Sequence, residues 1–147
     1  MKIFVDTNIL LDVLAKREPF YLDAARIWSL AERGKIEAQV SVISFNNIYY
    51  VVRRASNRKA AEQALRLMRN VFTPVPLNTQ VLNQAIDAEF KDFEDAIQFH
   101  SAAYAGADCL ITRDADHFPS TAFSVLTPAE FLASRVPESS GTGTDDV

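Results

Sequence analysis

Short apolar runs alternate with longer stretches of helical spacing along this chain, and that alternation restricts the fold more than any other feature. "KIFV" opens as a strand-like run, and "ILLDVLAK" follows with Ile9, Leu10, Val13 and Leu14 able to share one helical face. Pro19 can introduce the next helix, "YLDAARIWSLAERGK", which ends near Gly34. "AQVSVIS" has the β-branched content of a strand. "FNNIYYVVRRA" reads as a helix, although its aromatic and β-branched composition also suits a strand.

Asn57 is a candidate N-cap for "RKAAEQALRLMRN", and the two prolines of "VFTPVPL" confine a strand there to a sheet edge. Thr79 can start the helix "QVLNQAIDAEF", and "EDAIQFHSAAYAGA" reads as helical up to Gly106. "DCLIT" and "FSVLT" read as short strands, and "PAEFLAS" opens with a proline suited to a first helical turn. Strand–helix alternation implies βαβ units. The expected class is therefore α/β, a three-layer α/β/α arrangement around a mainly parallel sheet.

A chain of 147 residues fits one domain, expected over residues 1–136. Residues 137–147 carry almost no apolar side chains and are expected to be a disordered tail. No apolar run approaches the roughly 18 residues of a membrane span, and no signal-peptide pattern opens the chain, so a cytoplasmic protein is expected. Cys109 is the only cysteine, which excludes an intramolecular disulfide.

The net charge of −4 is unevenly spread. From Arg53 to Arg69 six basic residues stand against Glu62 alone, a local charge of +5, which leaves −9 for the remainder. An acidic body with one basic strip suits a polyanionic ligand, and it equally suits a solvated helix face.

Open parallel sheets bind ligands beyond the carboxyl ends of their strands, where the strand order reverses. Asp6 ends the first strand and Asp114 lies just beyond "CLIT", so acids from distant segments can meet at one sheet edge. Asp92, Glu94 and Asp95 precede the helix leading into that second strand, which can bring Asp95 to the same edge. Clustered carboxylates repel one another and call for a divalent countercharge; oxygen-only ligands favour Mg²⁺ or Mn²⁺. His100 and His117 form no chelating pair and read as a helix-packing residue and a loop residue. Each acid also has a plainer role: Asp6 as a helix cap, Asp95 as a first-turn acid, Asp114 as a turn residue. Asp12 points elsewhere and reads as surface or structural.

"FVDTNILLDVL", "SVISFNNIYY", "FEDAIQFHSAAYAGADCLITRD" and the "F" closing "DADHF" together resemble a PIN domain, the fold of VapC-type toxin ribonucleases, from about Lys2 to Leu132. The resemblance implies Asp6, Asp95 and Asp114 around a Mg²⁺ or Mn²⁺ site, with Thr7, Asn8 and Thr112 supporting the metal or the attacking water. Asp116 and Asp92 are the neighbouring alternatives to Asp114 and Asp95. It further implies RNA phosphodiester hydrolysis, a homodimer and a small antitoxin partner. Arg53, Arg54 and Arg58 are the candidates for holding the RNA backbone.

One departure stands out. Where many members of that family carry Glu, this chain has Asn47, which removes one negative charge from the site. The alternative function is therefore a PIN-fold module that binds RNA or protein through a weakened or inactive metal site. An aspartate-based phosphatase is disfavoured because Asn8 stands where a second acid is needed.

Overall fold

The computed structural model describes residues 1–119 and 123–135. The expected tail at 137–147 lies outside them. The described chain runs β1 (Lys2–Val5), α1 (Thr7–Leu14), α2 (Tyr21–Glu32), β2 (Glu37–Ser41), α3 (Val42–Ala55), α4 (Arg58–Val71) and β3 (Thr73–Val75). It continues through α5 (Thr79–Asp87), α6 (Phe93–Tyr104), β4 (Cys109–Ile111), a 3-10 turn at Ala115–His117, β5 (Ser124–Leu126) and α7 (Pro128–Arg135).

All pairings among these strands are parallel, in the order β3-β2-β1-β4-β5. The chain winds outward from β1 through β2 to β3, then returns to the other side of β1 as β4. The strand order therefore reverses between β1 and β4, the position at which a doubly wound sheet opens a crevice.

Alternation along the strands sends Ile3, Val5, Cys109 and Ile111 into one core with Ile9, Leu10, Ile27, Leu30, Ile48 and Met68. Phe4 and Leu110 enter the opposite core with Phe99 and Ala102 of α6. Burial on both faces explains the continuous apolar runs. β3 lies at the sheet edge, where its Pro74 is tolerated.

Local chemistry sets the helix starts. Asn57, Asn78 and Asp92 each accept a backbone hydrogen bond as N-caps of α4, α5 and α6. Thr127 and Glu130 form a reciprocal capping box at α7. The expected strand "AQVSVIS" ends early: Ser41 accepts from the Ile43 N–H at 3.2 Å, and α3 begins at Val42. A side-chain cap outweighs the strand propensity of Val42 and Ile43 there. Beyond α2, Gly34 adopts a positive φ of 74° and its N–H bonds the Ala31 carbonyl, a conformation suited to glycine.

Candidate active site

The sheet register decides which side chains meet at the crevice. Ile3 pairs with Cys109, Phe4 with Leu110 and Val5 with Ile111. The Asp6 N–H continues this ladder to the Ile111 carbonyl at 3.0 Å, and the Thr112 N–H does the same to Leu126 on β5. Asp6 and Thr112 therefore leave adjacent strands side by side. Thr112 Oγ1 donates a 2.8 Å hydrogen bond to Asp6 Oδ2, and the Asp114 N–H reaches Thr112 Oγ1 at 3.3 Å.

This geometry answers the capping question for Asp6. The residue occupies the N-cap position of α1 with extended backbone, yet its carboxylate makes no side-chain cap hydrogen bond. Asp92 is the acid that caps, holding the Asp95 N–H at 3.1 Å and thereby fixing the first turn of α6. Glu94 and Asp95 lie in that turn, facing the crevice.

Two recesses meet at the acids. One, of about 390 Å³, runs from Asp6, Asn8 and Asp95 along α3 past Asn47, Tyr50 and Arg54. The other, of about 670 Å³, runs from Asn8, Asp95 and Asp114 toward Phe90, Lys91 and His117. Asn8, Asp92 and Asp95 line both. Arg54 stands on one flank and Lys91 on the other, so a negatively charged chain crossing the acids meets a cation on either side. His117 Nδ1 stands 3.8 Å from Asp95 Oδ2.

Burial pushes the Asp6 carboxyl up to about 6; the Thr112 hydrogen bond opposes that rise, while Asp95 and Glu94 add to it. Asp95 is likewise pushed up to about 6 by burial and then by Asp92, with His117 opposing. Like charges held at a buried edge are what a cation relieves.

The expected supporting residues take different places. Thr112 supports Asp6 directly. Thr7 lines the smaller recess, and its hydroxyl is turned to the interior: it pairs with Ser44 Oγ at 2.6 Å and receives Gln98 Nε2 at 3.2 Å, stitching α1, α3 and α6 together. Asn8 lines both recesses and accepts from Arg17 at 3.4 Å through both its backbone and side-chain oxygens. Asp116 lies in the 3-10 turn and lines neither recess. Of the three arginines, Arg54 faces the crevice; Arg58 pairs with Glu62 at 3.4 Å, and Arg53 is exposed on α3 away from the recesses.

Asp12 is fully buried, so of its two readings, surface or structural, the structural one holds and the surface one is corrected. It sits between Arg17 and Arg113, whose Nε atoms approach its oxygens at 3.0 and 3.2 Å. Arg113 also stacks over Phe20 with its guanidinium 4.1 Å from the ring centre. This triad of one buried acid and two partly exposed arginines ties α1 to the loop carrying Thr112 and Asp114. His100 packs against Phe90 and Phe99, as its helix position suggested. His117, expected as a plain loop residue, lines the crevice; its place directly before Phe118 in "DADHF" held no separate sign of that.

Among the described residues, no group of three or more His, Cys, Asp or Glu side chains is closed around a metal position. The donor set nevertheless fits Mg²⁺ or Mn²⁺, because such ions bind through one or two carboxylates and retain several waters. Asp6 and Asp95 offer that pair, with Asp114 and Asn8 beside them.

A PIN domain model matches residues 2–116. The chain belongs to the PIN domain family. It is 26% identical over 135 residues to ribonuclease VapC1 of Aquifex aeolicus, a match covering 88% of this chain and 92% of the relative. Its fold is that of a toxin–antitoxin complex chain from Klebsiella pneumoniae, with a TM-score of 0.64, 21% identity, and coverage of 86% of this chain and 97% of the other. It also matches VapC20 of Mycobacterium tuberculosis, a sarcin–ricin loop cleaving toxin, with a TM-score of 0.59, 19% identity, and coverage of 74% and 86%. The three-layer α/β/α architecture around a parallel sheet is thus the PIN fold. No helix among the described residues is long and apolar enough to cross a membrane.

Proposed function

We propose that this PIN domain protein is a Mg²⁺- or Mn²⁺-dependent endoribonuclease of the toxin type, acting in the cytoplasm. The observation that carries this reading is the meeting, at the strand-order reversal, of two recesses that share Asp95, one lined also by Asp6 and Arg54 and the other by Asp114 and Lys91. The likeness to ribonuclease VapC1 and to the sarcin–ricin loop cleaving toxin supports RNA as the substrate.

Asp6 and Asp95 are the groups to hold the ion, with Asp114 completing the acidic edge. The bound ion supplies Lewis acidity, which acidifies water and offsets charge developing on the phosphate. Thr112 keeps Asp6 in one rotamer by holding Oδ2. Arg54 and Lys91 hold phosphates on either side of the scissile bond, which positions the backbone without reading its sequence.

The partner of such a toxin is a small antitoxin, and an arginine of that partner entering the crevice pairs with the carboxylates. The likeness to a chain of a toxin–antitoxin complex supports this. The protein is proposed to be a homodimer, which light scattering at micromolar concentration tests directly. A monomer there removes the dimer.

The deciding experiment is cleavage of labelled structured RNA with EDTA, Mg²⁺ or Mn²⁺, beside Asp6→Asn. Metal-dependent products that vanish in the variant support the reading. Salt-sensitive RNA binding without product, even at millimolar Mn²⁺, replaces it with a binding module.

A further inference from the structure

The neutral residue on α3 has a partner that changes its meaning. Asn47 Nδ2 donates a 2.8 Å hydrogen bond to Glu94 Oε2, and both side chains line the recess that contains Asp6 and Asp95. We propose that Glu94 is the fourth acid of the crevice, supplying from α6 the charge that α3 lacks at Asn47, and that Asn47 positions it. This rests on the metal-dependent reading above.

The residue types explain one another. A carboxylate at position 47 would face Glu94 at hydrogen-bond distance, where two like charges repel strongly. An amide there removes the repulsion and donates to the charged form of Glu94. The departure at Asn47 and the acid at Glu94 are then two halves of one arrangement, in which the acid has moved to the facing helix. Asp6, Glu94, Asp95 and Asp114 together restore four carboxylates to the edge.

A plain helix-dipole role accounts for an acid in the first turn of α6 but not for its direction. Phe93, in the same turn, is half exposed, whereas Glu94 turns inward onto α3. Its charge is also felt inside the site, since Glu94 contributes to the raised carboxyls of both Asp6 and Asp95. The remaining rival is a simple tether between α3 and α6.

Glu94→Gln separates the two, because glutamine keeps the length and can still bond Asn47 while losing the charge. Mn²⁺ titration of the full chain by calorimetry, without RNA, gives a readout independent of turnover. We expect Glu94→Gln to weaken Mn²⁺ binding by about tenfold or more, and to lower kcat on RNA while KM for RNA stays within about twofold. The double variant Asn47→Glu with Glu94→Gln, which moves the acid back to α3, is expected to recover Mn²⁺ affinity to within a few fold. Asn47→Ala is expected to weaken Mn²⁺ binding less than Glu94→Gln, with Asn47→Gln restoring part of the loss. Mn²⁺ affinity unchanged in Glu94→Gln, with wild type binding normally, overturns the fourth-acid role and leaves the metal-dependent reading standing. Wild-type protein that binds no Mn²⁺ overturns both.

Discussion

Thr112 Oγ1 holds Asp6 Oδ2 at 2.8 Å, joining the ends of β4 and β1 across 106 residues of sequence. The contact follows from register, since the two residues extend a parallel ladder by one step on each strand. Asp6 still lines the recess that it shares with Asp95.

Replacing that donor has a defined effect. Thr112→Val removes the hydroxyl at nearly constant volume and leaves a buried carboxylate oxygen unpaired, a loss of about 1–3 kcal/mol. Urea denaturation at pH 7 measures it, and Thr112→Ser retains most of the stability. Equal midpoints for wild type and Thr112→Val remove the supporting role assigned to this bond.

Stability without metal depends on pH in a direction set by Asp6. Its carboxyl is raised from 3.8 to about 6 in the folded protein, chiefly by burial, so the folded state binds the proton more tightly than the unfolded chain. The associated stability is fully present below about 4 and is lost as pH rises through about 6. In EDTA the folding free energy measured by urea denaturation is expected to fall between pH 4.5 and 7, by up to about 3 kcal/mol from this group. Asp6→Asn reduces the slope without abolishing it, because Asp95 is raised into the same range, and raises stability at pH 7. A variant with the same slope as wild type assigns the dependence elsewhere.

Asp12 predicts a structural loss transmitted to the site. Removing it strands two guanidiniums against the α1–β4 junction, at a cost of about 3 kcal/mol, the lower end for a broken buried pair because Arg17 is 39% exposed and can turn to water. Asp12→Ala is expected to show that loss in guanidinium denaturation. A midpoint within experimental error of wild type contradicts the triad's role in holding the Thr112–Asp114 loop.

The basic strip is expected to act unevenly. Arg54→Gln removes a cation from the crevice flank and reduces the salt slope of RNA binding by about 0.7, the value for one phosphate contact on a single strand. Arg58→Gln, whose side chain is engaged by Glu62, changes the slope little. Filter binding between 50 and 200 mM salt reads both, and equal slopes for the two variants argue against the flank assigned to Arg54.

Several elements were legible because local chemistry carried them. "KIFV" and "CLIT" announced buried parallel strands through their continuous apolar character, and Asn57 announced α4 through a cap that needs no tertiary partner. The start of α3 was misread by a few residues, because Val42 and Ile43 favour a strand and only Ser41's bond to the Ile43 N–H reverses that preference. The sequence leaves Asp12 open between a surface and a structural role because its two partners come from different segments. Arg17 lies five residues away, whereas Arg113 arrives only when β4 pairs with β1.

The sequence by itself determined the α/β class, the edge position of β3 and the placement of Asp6 and Asp114 at strand ends, because periodicity and proline chemistry act within a few residues. Only the tertiary structure decided that Asp6 faces Thr112 instead of capping α1, that Asp92 does the capping, and that Asn47 meets Glu94. Those outcomes depend on register and on the packing of helices distant in sequence. A carboxylate's role is set by the groups brought within about 3 Å of it, and local sequence does not specify which groups those are.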